Sequence, residues 1–240
     1  MPMQAGTTLF HAPVRHGAGN RRRMRRALIA CGIALAALMV AGAALGPLAT
    51  AADLAARSLA PSLAHIFGTD QLGRDMLART LAGLSTSLFV GLVASLASSC
   101  IAVLLACVAA FGGRRGDAVV SWLTDLTMGV PHLVLLILIS YALGRGFWGV
   151  TVGIALTHWP SLTRVLRAEL LQLISQPYLA QSEALGVSRL RMALTHLLPA
   201  VLPQLIIGAV LTAPHAILHE ASITFLGFGL SPEEPAIGVI

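Results

Sequence analysis

The sequence predicts an all-α protein, a bundle of helices that crosses a membrane several times. Of its 240 residues, 56% are hydrophobic and only 11% are charged, whereas a soluble domain carries about 25% charged residues. The 16 basic residues are all arginine and stand in groups between long uncharged runs. A nucleic-acid-binding domain would spread them over one folded face, so that class is excluded. We expect the lipid bilayer to surround the chain.

Five apolar runs approach or exceed the roughly 20 residues that a helix needs to cross a bilayer. In chain order they are 27–49, 81–111, 118–143, 147–163 and 197–218. Basic residues precede the first run, as they do in a signal peptide. Its 23 apolar residues, however, exceed the usual 7–15 of such a peptide. We therefore predict an uncleaved first span.

The placement of the arginines predicts the orientation. With the N-terminal segment 1–26 in the cytoplasm, twelve arginines lie on the inner side and four on the outer side, as the positive-inside rule requires. Segment 50–80 is then external, and segment 81–240 forms the core with a cytoplasmic loop at 164–196. Five spans place the C-terminus outside, so we expect a sixth span to be missing.

The predicted cytoplasmic loop has the pattern of a short helix, a break and a second helix. Pro177 suits the first position of a helix, Gly186 suits the left-handed position that ends one, and Ser188 can cap the next. A helix of two turns is unstable alone and needs a surface to pack on. That surface is either the chain's own bundle, as in an ordinary loop, or another protein.

The same loop resembles a known signature. Gly186, nine further residues and then His196-Leu197-Leu198-Pro199 are similar to the "EAA" loop of ABC importer permeases. Where that family often has Glu-Ala-Ala, this chain has Ala180-Gln181-Ser182. The missing Glu-Ala-Ala affects the contact that the loop would make with its partner. It does not change the predicted position of the loop in the chain.

Three further motifs resemble the dipeptide, oligopeptide and nickel group of these permeases. The sequence GTDQLGRD at 68–75 is similar to the GTDxxGRD segment before the second span, and FLGFGL at 225–230 is similar to SFLGLG. Asp117, Asp125 and Pro131 match the spacing D-x7-D-x5-P, although the arginine common between the two aspartates is absent. We expect Asp125 to be tied to a neighbouring helix or to Arg114 or Arg115.

The resemblance implies a type I ABC importer permease of the cell inner (plasma) membrane, closest to the nickel-type second permease subunit, with no cofactor of its own. The implied partners are a second permease subunit, two cytoplasmic ATPase subunits and an external or periplasmic solute-binding protein. In the family the short helix of the loop docks into the ATPase. The residues expected to make that contact are Leu179, Ala180, Ser182, Glu183, Ala184, Leu185 and Gly186.

Histidines are the residues expected to meet a solute. His215 and His219 are four apart and share one helix face, His158 lies in the fourth run, and His132 follows the proline of the third. Imidazole suits nickel, copper and zinc. The alternative is that each imidazole bonds a backbone carbonyl between helices.

Nickel-type members carry histidines at positions like His158, His215 and His219, so the resemblance implies that these line the substrate path. It also implies a transient metal contact at His215 and His219. Glu220 either lines the path or meets the binding protein, or is a solvated acid at a helix end.

The predicted function is therefore passage of nickel or a nickel chelate, driven by ATP. A di- or oligopeptide permease is the alternative, and an ion-coupled secondary carrier is the second. The chain has no G-x-x-x-x-G-K-[ST] motif, so we expect it not to be an enzyme and ATP hydrolysis to belong to a separate subunit.

Overall fold

The computed structural model describes residues 18–240, and within that range it is helical apart from loops and one isolated bridge between Thr69 and Asp75. The predicted all-α class is confirmed. By its internal contacts the chain divides into one unit that ends at Ala37 and a second unit, Leu38–Ile240. Most of the predicted basic segment 1–26 lies outside the described residues.

Eight α-helices occur in the described range, and each of the five predicted spans falls on them. A 3-10 turn, Leu54–Ala56, follows the first helix, and a π-helical turn, Ala193–Leu197, precedes the last. The α-helices are α1 (Ala18–Thr50), α2 (Met76–Phe111), α3 (Gly113–Gly129), α4 (His132–Ala142), α5 (Gly146–Ile174), α6 (Pro177–Ala184), α7 (Arg189–Met192) and α8 (Leu198–Phe225).

The third predicted span, 118–143, is not one straight helix. It is divided between α3 and α4, which meet at an angle of 93°. Pro131 has no N–H to continue α3, and its ring keeps the preceding residue out of the helical region. Val130 accordingly has φ −94° and ψ 135°. The proline motif thus marks a sharp bend.

Helix α5 lies at the centre of the second unit. It packs most extensively against α2 and also against α4 and α8. Two of its glycines allow α4 to approach closely: a Cβ at Gly149 would lie 2.8 Å from the carbonyl oxygen of Ser140, and one at Gly153 would lie 3.0 Å from Leu136. Small residues at such spacing are typical of packed membrane helices.

Three helical stretches of the described residues are long and apolar enough to cross a membrane: Arg21–Thr50, Met76–Phe111 and Leu190–Phe225. The bent pair α3 and α4 makes a fourth if it counts as one span. Helix α5, which carries the fourth predicted span, is not among them. Polar residues such as Thr157 and His158 lower its mean hydropathy. They are tolerated at membrane depth because much of α5 packs against other helices.

The segment after α8 folds back onto the bundle. The Ser140 hydroxyl donates to the carbonyl oxygen of Phe228 at 3.1 Å, and the backbone N–H of Gly146 donates to the carbonyl of Gly229 at 3.0 Å. Further along, the N–H of Ile237 donates to the Ser87 hydroxyl at 3.1 Å. The FLGFGL motif therefore joins the end of α4 and the start of α5 to the end of α8.

Candidate functional site

The predicted loop forms a short helix with a well-defined end. Helix α6 begins at Pro177, as predicted, and Gly186 has φ +80°. The N–H of Val187 donates to the carbonyl of Ser182 at 3.1 Å, which is the six-residue bond of a Schellman motif. Only glycine adopts this backbone conformation without strain. The backbone conformation of Gly186 therefore ends α6 where the break was predicted.

Helix α6 is fixed to the bundle on one side and exposed on the other. Leu179 is 5% exposed and belongs to a buried cluster with Leu170, Met192 and Leu197. In contrast, Leu185 is 83% exposed. Helix α6 is therefore anchored through Leu179 and leaves Leu185 open to solvent. We call residues 175–187 the coupling segment.

The remaining predicted residues of the coupling segment lie on or beside α6. The Ser182 hydroxyl donates to the carbonyl of Tyr178 at 3.0 Å, so it is used within the helix. Ala184 and Gly186 are exposed. Ala180 and Glu183 are part of α6, but their side chains lie outside the described part of the chain.

The second helix of the loop also begins as predicted. The Ser188 hydroxyl accepts from the backbone N–H of Arg191 at 3.4 Å, as an N-cap does. The ring of His196 lies 6.3 Å from that of Tyr178, edge to face. The π-helical turn that precedes α8 is thereby linked to α6.

Two ion pairs connect α3 to the end of α5 that leads into the coupling segment. Arg167 binds Asp117 with both Nε and Nη2, and the Nη2 to Oδ2 distance is 2.7 Å. Arg164 Nη2 donates to Asp125 Oδ1 at 2.7 Å. The prediction that Asp125 is tied to a neighbouring helix is confirmed, with Arg164 as the partner. Both aspartates of the D-x7-D-x5-P motif thus bind arginines of α5.

Three histidines from three helices meet beside the bend. The ring centroids of His132 lie 4.6 Å from those of His158 and His219, and the latter two are 5.0 Å apart. One ring nitrogen from each lies within 4.8 Å of the others. We call these residues the histidine trio. The sequence reasoning noted His132 but did not select it as a site residue, although its position next to Pro131 was the available signal.

Two cavities adjoin the trio. One, of about 370 Å³, lies between α5 and α8 and is lined by His158, His215 and His219. The other, of about 520 Å³, lies at the bend and is lined by His132 and Pro131. All three histidines predicted for the substrate path therefore border one cavity. His215 is exposed and is not part of the trio.

Glu220 lies apart from these cavities. Its side chain is fully buried, and Oε1 accepts from the Thr224 hydroxyl at 3.0 Å. The other oxygen, Oε2, has no hydrogen-bond partner among the described residues. In this chain Glu220 is therefore not a solvated acid at a helix end.

The GTDQLGRD segment forms a compact turn in front of α2. Arg74 Nε donates to Asp70 Oδ2 at 2.7 Å, and His65 Nδ1 lies 2.9 Å from Asp75 Oδ2. The N–H of Ala78 bonds Asp75 Oδ1, and this cap, together with His65, keeps the pKa of Asp75 below its ordinary 3.8. Burial acts to raise the pKa of Asp70, but hydrogen bonds from Arg74 outweigh it and lower that pKa.

Residues 98–239 match the family described as binding-protein-dependent transport system inner membrane component. The chain belongs to this family. A helical bundle with apolar helices and an anchored, partly exposed loop helix is consistent with such a membrane component. The predicted resemblance to ABC importer permeases is confirmed.

Several curated relatives are similar over most of the chain. A putative peptide permease protein of Brucella suis biovar 1 is 38% identical over 186 residues, which are 78% of this chain and 62% of the relative. The dipeptide transport system permease protein DppC of Bacillus subtilis is 32% identical over 92% of this chain and 70% of its own length. The oligopeptide transport system permease protein OppC of Bacillus subtilis is 34% identical over 71% and 56%.

The chain spans about 60% of the length of the Brucella relatives that it matches. The names of these relatives refer to peptides and do not mention nickel. They therefore favour the peptide alternative over the nickel prediction.

Proposed function

We propose that this chain is the permease subunit of an ATP-driven ABC importer and that its solute is a di- or oligopeptide. The coupling segment carries the first part of the proposal, because it presents Leu185 beside a helix anchored by Leu179. Family membership supports the transporter class. The names of the relatives, which refer to peptides, support a peptide as the solute. The family match also favours this reading over an ion-coupled carrier, since it refers to dependence on a binding protein.

The partners follow from that assignment. A second permease subunit completes the pathway, two ATPase subunits bind the coupling segments, and an external binding protein delivers the solute. The arginine distribution supports a cytoplasmic position for the N-terminus and the coupling segment. The turn at 68–75 then lies on the external side, where the binding protein docks.

The contacts of the coupling segment support a lever mechanism. Leu179 and Val187 both pack in the cluster that contains Leu170 of α5 and Leu197 at the start of α8. A displacement of α6 by the ATPase is therefore transmitted to two long helices rather than absorbed in a loose loop. The Arg167–Asp117 pair extends this rigid body to α3. The spans would then alternate between outward and inward access.

The cavity between α5 and α8 is the proposed solute path. Its volume of about 370 Å³ falls within the roughly 300–1,000 Å³ of small-molecule sites. His158, His215 and His219 line it and supply polar groups. Nickel or a nickel chelate is the second candidate solute, and the observation that favours it is the grouping of imidazoles at this cavity.

Uptake into reconstituted vesicles tests the assignment. The complete importer, supplied with its binding protein, should accumulate a labelled dipeptide only when ATP is present on the ATPase side. Labelled nickel ion in a parallel assay separates the two solutes. Accumulation driven by an ion gradient without ATP would refute the transporter class, and ATP-dependent uptake of nickel but not of dipeptide would refute the peptide.

Inserting a flexible stretch tests the lever. A Gly-Ser insertion after Gly186 should leave ATP hydrolysis in place and abolish most of the coupled uptake. The same insertion after Gly144 is the matched control, because both glycines have positive φ and no neighbour within 4 Å of an added Cβ. Full uptake by the Gly186 insertion would contradict the lever.

A further inference from the structure

Each imidazole of the histidine trio offers one ring nitrogen that lies within 4.8 Å of the other two. His158 Nδ1 lies 3.0 Å from the carbonyl oxygen of Ile154, and His219 Nδ1 lies 2.8 Å from that of His215. A carbonyl can only accept, so both Nδ1 atoms carry the hydrogen. The Nε2 atoms of both rings are then bare lone pairs. A backbone carbonyl that fixes the tautomer in this way is the usual support of a metal-bound histidine.

Two ring nitrogens of the trio lack a hydrogen-bond partner in the described part of the chain. The Nε2 atoms of His132 and His158 are buried and have no hydrogen-bond partner among the described residues. A buried polar atom without a partner costs about 1–3 kcal/mol. A group that accepts electron pairs from all three rings would satisfy them together.

The spacing fits a transition-metal ion. A tetrahedral ion with metal–nitrogen bonds of about 2.0–2.1 Å places its ligand nitrogens about 3.3 Å apart and its imidazole centroids about 5 Å apart. The centroids of the trio are separated by 4.6, 4.6 and 5.0 Å. The ligand atoms lie within 4.8 Å of one another, so small ring rotations bring them to bonding positions.

We propose that His132, His158 and His219 bind one divalent transition-metal ion, of the zinc, nickel or copper class that imidazole prefers. The site joins α4, α5 and α8 beside the bend at Pro131. Three protein ligands leave a fourth coordination position open, and two of them, His158 and His219, also line the cavity between α5 and α8. This goes beyond the proposed function, because the ion need not be the solute and its binding is measured without any transport.

Metal binding by the purified protein tests the proposal directly. The full chain, extracted in mild detergent with the subunits that copurify and stripped with a chelator, is titrated with Co²⁺ and with Zn²⁺. We expect one ion per chain, and visible Co²⁺ absorption bands of the intensity given by four-coordinate sites. His158→Ala and His219→Ala should weaken binding by more than the roughly 10- to 100-fold that loss of an outer-shell partner costs.

His215→Ala is the matched control. This residue lies one turn from His219 and lines the same cavity, but it is outside the trio, and its backbone carbonyl remains to orient His219. It should bind Co²⁺ like the unchanged chain. The absence of Co²⁺ bands in the unchanged chain would overturn the proposal whether or not the variants fold. Equal loss in all three variants, or unchanged binding by His158→Ala, would also overturn it.

Discussion

Replacing the charges between α3 and α5 tests how strongly each of the two ion pairs joins these helices. Asp117→Asn, Arg167→Gln and the double variant form a cycle that isolates the energy of this ion pair. The Asp125 and Arg164 pair joins the same two helices and provides a matched comparison. Its side chains are 69% and 51% exposed, whereas those of Asp117 and Arg167 are 31% and 30% exposed.

The contacts and exposure of the two ion pairs lead us to expect different coupling energies. Arg167 makes two charge-assisted bonds in a half-buried position, and hydrogen bonds to charged groups contribute about 1.5–3 kcal/mol. After a discount for its remaining exposure, we expect a coupling of about 1–2 kcal/mol. The exposed pair should give about 0–0.5 kcal/mol, since most surface pairs contribute little.

Thermal unfolding in detergent, followed by far-UV circular dichroism, measures both cycles. For a chain of this size, 1 kcal/mol shifts Tm by about 2–4 °C. The coupling energy of the half-buried pair should therefore appear as a Tm difference of about 2–8 °C. Raising the salt concentration should reduce the smaller coupling proportionally more. Equal coupling energies in the two cycles would refute the argument that burial and two-point geometry distinguish them.

Three further predictions concern backbone and charge. Gly186→Ala should lower stability by about 1–2 kcal/mol, because φ is +80° there, and Gly186→Asn should lower it less; similar Tm values for the two would count against the left-handed end of α6. Gly149→Ala places a Cβ 2.8 Å from the carbonyl oxygen of Ser140 and should cost about 1–3 kcal/mol, whereas Gly46→Ala, with nothing within 4 Å, should not destabilise; chemical unfolding compares them. The pKa of Asp75 is lowered below 3.8 by its helix-cap bond and its histidine partner, so its stabilising effect is complete above pH 3.8 and is lost as pH falls through the folded pKa. Asp75→Asn should therefore flatten the acid limb of a Tm-against-pH profile, and an unchanged limb would contradict the cap.

Much of the fold could be predicted because a bilayer imposes length and composition on a helix. The apolar runs coincide with helices, and Pro177, Gly186 and Ser188 have the helix-end positions that their backbone preferences indicate. These are local properties, set by each residue and its near neighbours along the chain.

The bend and the histidine trio could not be predicted in the same way. A proline inside an apolar run is compatible with a kink or with a break, and only packing decides that α3 and α4 meet at 93°. The sequence pairs His215 with His219 because they share a helix face. The structure instead joins His219 to His132 and His158, which lie 87 and 61 residues away, and such contacts depend on how three helices cross.

The partners of Asp117 and Asp125 were also beyond local reasoning. Arginines at 114 and 115 are nearer in sequence, but the ion pairs form with Arg167 and Arg164, which project from α5 where it crosses α3.

The most direct test of the account is a cross-link from the exposed end of the coupling segment. In a cysteine-free background, Leu185→Cys should be joined by a short thiol-reactive cross-linker to a subunit that also binds a photoreactive ATP analogue. Leu63→Cys, fully exposed on the segment before α2, is the control and should not be joined to it. Failure of Leu185→Cys to capture an ATP-binding subunit of the assembled importer would contradict the account. Labelling of Leu185→Cys by an impermeant maleimide outside intact cells would contradict it as well.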